Sequence, residues 1–369
     1  MKVQARLCSL TLVLLAAMLL VTILATQPGR AAGPWYVAPG GDDGNDCLSP
    51  GAACASINGA LAKPGFVISD TILVATGMYT GTGDEVVLLD KDVILSGGWD
   101  ASFATQSGAS TIDGEEVRRG MTVNQGVAAA VERFTFQNGF GEPNGGGICC
   151  DGILTLNNCT LSGNASGHMG GAIMILNNGI MSANNCTISG NMAGHAGGGI
   201  GKGWGILSLN NCTITGNMAG HRGGGIENVY FETATLQNTI VAGNTASTYG
   251  PDCSGGGFVS SGHNLIGDTA DCGITPMPGD LLDVDPRLFV LVGSPGYHPL
   301  RPGSPAIDAC DPAGCIDHMG NPLTTDQRGT PRPLDGDGDG DAFCDIGSYE
   351  FDPEHPIVQV YLPVVLRNY

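Results

Sequence analysis

One phrase constrains this chain more than any other feature. NCTISGNMAGHAGGGI at residues 185–200 returns as NCTITGNMAGHRGGGI at 211–226 and, more loosely, as NCTLSGNASGHMGGAI at 158–173. The first asparagine falls at Asn158, Asn185 and Asn211, a spacing of 27 and then 26; a degraded copy, NTIVAGN, begins at Asn238, and FTFQNGFGEPNGGGI (134–148) carries the same ending one period upstream. Self-similarity at such a period marks a solenoid, in which no repeat can bury its apolar face alone and stacking supplies the core. Within a period Leu207, Leu209, Cys212 and Ile214 sit at strand spacing, and no helical apolar period is sustained between 70 and 300. Three short strands per coil, broken at Gly and Asn and stacked about 4.8 Å from the next coil, give an all-β parallel β-helix. Its coils are about 25–27 residues long.

In such a stack, identical positions become ladders. Cys159, Cys186 and Cys212 are expected inside, reduced, because equivalent positions on in-register strands point the same way and seldom suit a disulfide. Asn164, Asn191, Asn217 and Asn244 are expected as an amide ladder at a turn, each bond worth about 1 kcal/mol net. The Asn-Cys-Thr triplets at 158, 185 and 211 match a glycosylation acceptor, but stacking explains them without a sugar. His168, His195 and His221 fall on one ladder beside the Gly-rich bend. Two neighbouring rings suit a bridging metal or a sugar face, yet the three phrases hold no Asp or Glu to complete a zinc site, and duplication alone would copy a solvated turn histidine.

Glycine, at 60 of 369 residues, and charged residues, at only 14%, leave a surface of small polar side chains suited to tight turns. Lys2 and Arg6 precede the apolar run 7–25, which gives way to TQPGRAAGPW: the layout of a secretory signal peptide over 1–32, with an uncleaved membrane anchor as the competing reading. Without 1–32 the chain carries 12 basic against 35 acidic residues, a formal charge of −23, which excludes nucleic acid and anionic lipid as partners. Twelve cysteines remain, an even number for an oxidising compartment. Cys47 with Cys54, Cys253 with Cys272, and a pair among Cys310, Cys315 and Cys344 are the short-range candidates; Cys149 and Cys150 are left unassigned.

DGDGDGDAFCD (335–345) places Asp335, Asp337, Asp339 and Asp341 at alternate positions with Gly between, as at the start of a calcium loop. Ile346 stands where a bidentate Glu would, and Asp345 is its expected substitute, so Ca2+ is expected at these five aspartates without EF-hand helices. The alternative is a flexible acidic linker.

The coils resemble right-handed parallel β-helix repeat proteins of the broad pectate-lyase-like group, and WYVAPGGDDGNDCLSPGAACASINGAL (35–61) resembles the entry segment of secreted bacterial members. SPAIDAC…TDQRGTPRPLDGDGDGDAFCDIGSYE (304–350) is similar to the C-terminal region known as a choice-of-anchor Q-type domain. The resemblance implies a right-handed helix and export. It also implies, for carbohydrate-active members, either an acid cluster with calcium and a basic residue or a set of aspartates as acid and base. Between 121 and 250 the acids are only Glu132, Glu142, Asp151, Glu227 and Glu232, and Arg222, Glu227 and Glu232 are the best site they offer.

The expected organisation is a signal peptide (1–32), an N-terminal cap with the first coils (33–110), β-helix repeats (111–300), a C-terminal region with the Asp-rich loop (301–353) and an apolar tail (354–369) too short to span a bilayer. The expected function is an exported, non-catalytic cell-surface or extracellular protein, a scaffold or a module contacting polysaccharide or another surface component. Trp35, Trp99 and Trp204 form no regular stacking platform, so sugar contact rests on fold analogy. The alternative is a lyase or hydrolase of acidic polysaccharide that draws on Asp252, Asp268, Asp271, Asp280, Asp283 and Asp285. A third reading is an adhesin or self-assembling surface component.

Overall fold

A computed structural model describes residues 33–357, apart from 313 and 318. The expected signal peptide and most of the expected apolar tail lie outside the described residues. The fold is a single parallel β-solenoid of about eight turns. The only α-helix among the described residues, Ile57–Leu61, is capped by the Ser56 hydroxyl, which accepts from the Gly59 amide at 2.9 Å. That helix packs against the strands Trp35–Val37, Asp70–Ala75 and Glu85–Leu89 at the first end of the core, where the Cys47–Cys54 disulfide closes the entry loop. The sheet edge there is covered rather than left to template another chain.

The repeat Gly179–Asn184, Thr187–Ser189, Met192–Ala193, Ile200–Lys202 shows one coil. Its four segments belong to four parallel stacks of nine, nine, five and seven strands. Three stacks were expected. The additional one is built from two-residue strands such as Met192–Ala193 and Met218–Ala219, too short for alternation to be read in sequence.

Register is set by apolar columns. Val131, Leu156, Ala183, Leu209 and Leu236 stack in the first sheet, Phe136, Leu161, Ile188, Ile214 and Val241 in the second, and Ile148, Ile173, Ile200 and Ile226 in the last, all essentially buried. Each large aliphatic contributes about 1.5–3 kcal/mol on burial. A one-residue slip would turn every column outward.

The corners carry the repeated letters. Asn158, Asn185, Asn211 and Asn238 hold left-handed φ of 48–53° between the first and second strands, a conformation asparagine tolerates better than other residues with a side chain. The amide ladder runs as expected. Asn164 Nδ2 donates to Asn191 Oδ1 (2.9 Å), Asn191 to Asn217 (2.9 Å) and Asn217 to Asn244 (2.8 Å). It then ends on a carboxylate: Asp252 Oδ1 accepts from Asn244 Nδ2 at 2.8 Å. Cys159, Cys186 and Cys212 are buried thiols outside any disulfide, and Thr239 takes the cysteine's place in the next coil, its hydroxyl accepting from the Cys212 amide at 3.3 Å. At Gly197 (φ 64°) a Cβ would lie 2.4 Å from the Ile200 carbonyl oxygen, so the GGGI bend requires glycine.

The C-terminal region lies along the side of the solenoid as a strap. The strand exteriors Thr160, Thr187 and Thr213 would face water, but residues 296–348 cover them. Gln327 donates to the Cys159 carbonyl (3.2 Å) and to Thr160 Oγ1 (2.9 Å) and accepts from Thr187 Oγ1 (2.6 Å), so one amide ties two coils. His298 sits 2.8 Å from Ser189 Oγ, Arg332 donates to Asn185 Oδ1, and the Gly347 amide reaches the Asn238 carbonyl. Asn185 and Asn211 are thereby buried at 3% and 0% exposure, which closes those acceptor triplets to glycosylation in the folded protein.

The expected short disulfides form. Cys47–Cys54 and Cys253–Cys272 are joined by Cys315–Cys344, while Cys310 stays a thiol with its sulfur 3.8 Å from that of Cys315. Among the described residues no helix is long and apolar enough to cross a membrane.

Candidate functional site

Three places gather chemistry outside the core. The first is a face built by the repeat itself. His168, His195 and His221 are carried to one column by the coil register, with ring centroids 4.8 and 5.1 Å apart and interplanar angles of 11° and 2°; Tyr249 closes the column edge-on at 5.9 Å. Nδ1 of His195 and of His221 is buried with no hydrogen-bond partner. Burial, then the neighbouring His168 and His221 and Arg222, hold His195 below the usual imidazole range. Three residues before each histidine lie Ala165, Met192 and Met218, a column that Phe140 begins and in which Phe140, Met192 and Met218 are exposed and Ala165 is half-buried.

Next to it, Arg222 Nε pairs with Glu227 Oε1 at 3.0 Å, with Glu227 almost fully buried; burial pushes its carboxyl upward against the pull of Arg222. Glu232, the third member of that expected site, is not joined to them by its side chain; its carbonyl accepts from Asn228. Lys202, unremarked in the sequence, points into the core with Nζ 3.1 Å from Asn228 Oδ1, and desolvation lowers it to about 8. Trp204 stacks on Tyr230 at 4.4 Å and 12°, both about half exposed, while Trp35 is buried with its Nε1 donating to Asp70. The tryptophans form no common platform, and the Trp–Tyr pair has its own sequence signal, a spacing of 26 residues that equals one coil.

The second place is a cleft of about 430 Å³ where the strap leaves the last coils, lined by Asp252, Asp268 and Asp285 among other residues. Desolvation, opposed by hydrogen bonds from Asn244 and Asp268 and reinforced by the Asp268 charge, raises Asp252 to about 6. The other aspartates of this stretch cap turns. Asp280 accepts from Ser260, Asn264 and Met277, Asp283 from Thr269, and Asp271 from Gly250.

The third place is the acidic loop. Asp335 and Asp337 converge with Asp308, one oxygen of each within 4.8 Å of the others. Asp308 is 27 residues upstream of Asp335, and no spacing rule ties it to the loop. Its Oδ2 accepts from the Gly336 and Asp337 amides at 2.8 Å, and burial raises its carboxyl. Asp339 is exposed and accepts from the Asp341 amide; Asp341 is exposed at the end of the run. Asp345 lies apart, buried beside Glu350 and Arg332, its carboxylate accepting from the Asp308 and Phe351 amides; burial and the Glu350 charge hold it well above the usual carboxylate range. Three carboxylates at a Gly-rich turn form a hard-oxygen donor set suited to a divalent cation.

Fold and surface together define the class: a parallel β-solenoid with laddered corners and a lateral strap. A scan against protein-family models matches no family, and a search of curated proteins finds no significant relative.

Proposed function

We propose that this chain is an exported, non-catalytic extracellular or cell-surface protein, a rigid β-helix that presents one long face to carbohydrate or another surface component. The observation that carries this reading is an exposed corner of mostly uncharged side chains, Phe140, Met192 and Met218 with the stacked imidazoles, repeating at the coil spacing and bearing Glu142 at its first coil. The ladders speak against a paired-acid site at two of the coil acids: Glu132 lies between Ser96 and Asn157 and Glu227 between Gly201 and Ser254, so neither has a carboxylate next to it on its ladder. Three disulfides and the leader-like N-terminus support an oxidising destination. Calcium held by Asp335 and Asp337 with Asp308 would brace the strap, and a rise in melting temperature on adding calcium, lost in Asp335→Asn, tests it.

The cleft favours a second reading, hydrolysis or lysis of an acidic polysaccharide. A carboxyl raised to about 6 beside two further aspartates has the form of a general acid. Both readings meet one experiment. The mature chain is incubated with neutral and acidic polysaccharides at pH 5 and 7.5, and products are followed by mass spectrometry. Retention without shortening of the polymer supports the binding role; oligosaccharides that disappear with Asp252→Asn replace it with the enzyme.

A further inference from the structure

The histidine column offers more specific chemistry than a solvated turn. His195 and His221 bury Nδ1 without a partner, and no hydrogen bond ties down Nε2, which remains open to solvent. A buried N–H without an acceptor is costlier than a buried lone pair, because the strongly polar donor loses its water outright. The neutral ring therefore carries its proton on Nε2. Backbone bonds fix the spacing: the His195 amide donates to the His168 carbonyl and the His221 amide to the His195 carbonyl, each at 2.8 Å. The outcome is a column of three imidazoles with ring centroids 4.8 and 5.1 Å apart, in which His195 and His221 turn Nε2–H outward, with the exposed Met192 and Met218 on the same corner and the half-exposed Tyr249 at the end.

We propose that this row is a binding strip for an extended neutral polysaccharide, one sugar per coil, with Nε2–H groups donating to hydroxyl or ring oxygens and Met192, Met218 and Tyr249 meeting the C–H faces. The proposal rests on the carbohydrate-binding reading above and names its ligand class and site. Periodicity carries the polymer: donors that repeat with the coils fit a chain whose acceptors repeat at the same length, and an isolated small molecule would use one step of three. Charge carries the neutrality. The whole chain has a formal charge of −20, and the one cation beside the strip, Arg222, is paired with Glu227, so a polyanion meets repulsion without a local counter-charge. The apolar thioethers and the phenol edge suit pyranose C–H surfaces, as aromatic and methionine side chains do wherever a ligand has one apolar face.

The test is calorimetric titration of the mature chain with hexasaccharides of neutral β-linked glucose, xylose and mannose, and with hexagalacturonate, for wild type and for the triple variant His168→Ala, His195→Ala, His221→Ala. A neutral hexasaccharide is expected to bind wild type, to lose at least tenfold in affinity in the triple variant, and to bind more tightly than its trisaccharide. Protection of Nε2 from diethyl pyrocarbonate by the sugar provides a readout on the unmutated protein, should the triple variant fold poorly. Equal binding by the variant, with no protection, overturns the strip while carbohydrate binding stands. Preference for hexagalacturonate overturns the neutral ligand, and binding of no saccharide overturns both readings.

Discussion

Asn191 is bonded on every side. Its Oδ1 accepts from the Asn164 amide and Nδ2, and its own Nδ2 donates to the Leu161 carbonyl and to Asn217, all at 2.9–3.0 Å in a buried site. Asn191→Ala leaves those partners unpaired away from water and is expected to cost about 2–4 kcal/mol, read as a lower urea midpoint at unchanged slope. Lys202 makes the opposite case, a buried ammonium with one acceptor. Lys202→Met is expected to raise stability by about 1–2 kcal/mol at pH 7, since desolvation of the charge outweighs the single bond. Its folded value, about 8, lies below the ordinary 10.5 of the unfolded chain. Below pH 8 both states hold the proton and wild type bears the full penalty; between 8 and 10.5 only the unfolded state does, and wild type recovers. The advantage of the variant should therefore shrink across that window in paired melts, and a constant difference would refute the assignment. The asparagine ladder was legible because its letters repeat. Lys202 was not, because one lysine in a repeat where other coils hold Cys150, Ile175 and Asn228 reads as a surface substitution.

The strap is the element whose placement alters the molecule most. Arg332 Nε lies 3.0 Å from Glu350 Oε2 with both side chains fully buried, and Arg328 lies over the rings of Tyr349 (3.9 Å) and Tyr297 (5.1 Å). Arg332→Ala strands the Glu350 and Asp345 carboxyls, both raised chiefly by burial, and is expected to cost about 3–5 kcal/mol at pH 7.5. The deficit should narrow at pH 4–5, because an acid whose folded value is raised costs stability above that value and regains it on protonation. Limited proteolysis of the strap at the two pH values measures this. Opening Cys315–Cys344, a closure over 29 residues, by Cys315→Ser/Cys344→Ser is expected to cost about 3–4 kcal/mol in the chain-entropy account, seen as a lower melting temperature. Sequence exposed the text of this segment and its acidic loop but not its position. Its contacts with the central coils, such as Gln327 with Thr187 across 140 residues, follow no period.

At the scale of the whole molecule, cysteine accounting checks the fold. Six cysteines are bonded and Cys149, Cys150, Cys159, Cys186, Cys212 and Cys310 are buried thiols. The chain lacking residues 1–32 is expected to take up almost no alkylating agent when native and six equivalents when denatured without reductant, counted by intact mass. Fewer than six would mean that further disulfides exist, with the Cys159–Cys186–Cys212 ladder the first place to look. By itself the sequence determined the solenoid, its period, the asparagine and cysteine ladders and the histidine column, because stacking in register demands the same side chain at the same corner and so writes each requirement several times. Only the tertiary structure decided the fourth stack of two-residue strands, the burial of the Asn-Cys-Thr corners beneath the strap, the joining of Asp308 to Asp335 and Asp337, and the convergence of Asp252, Asp268 and Asp285. The strands of the fourth stack are too short to show an alternation, and each of the other features is made without a repeat to mark its partner.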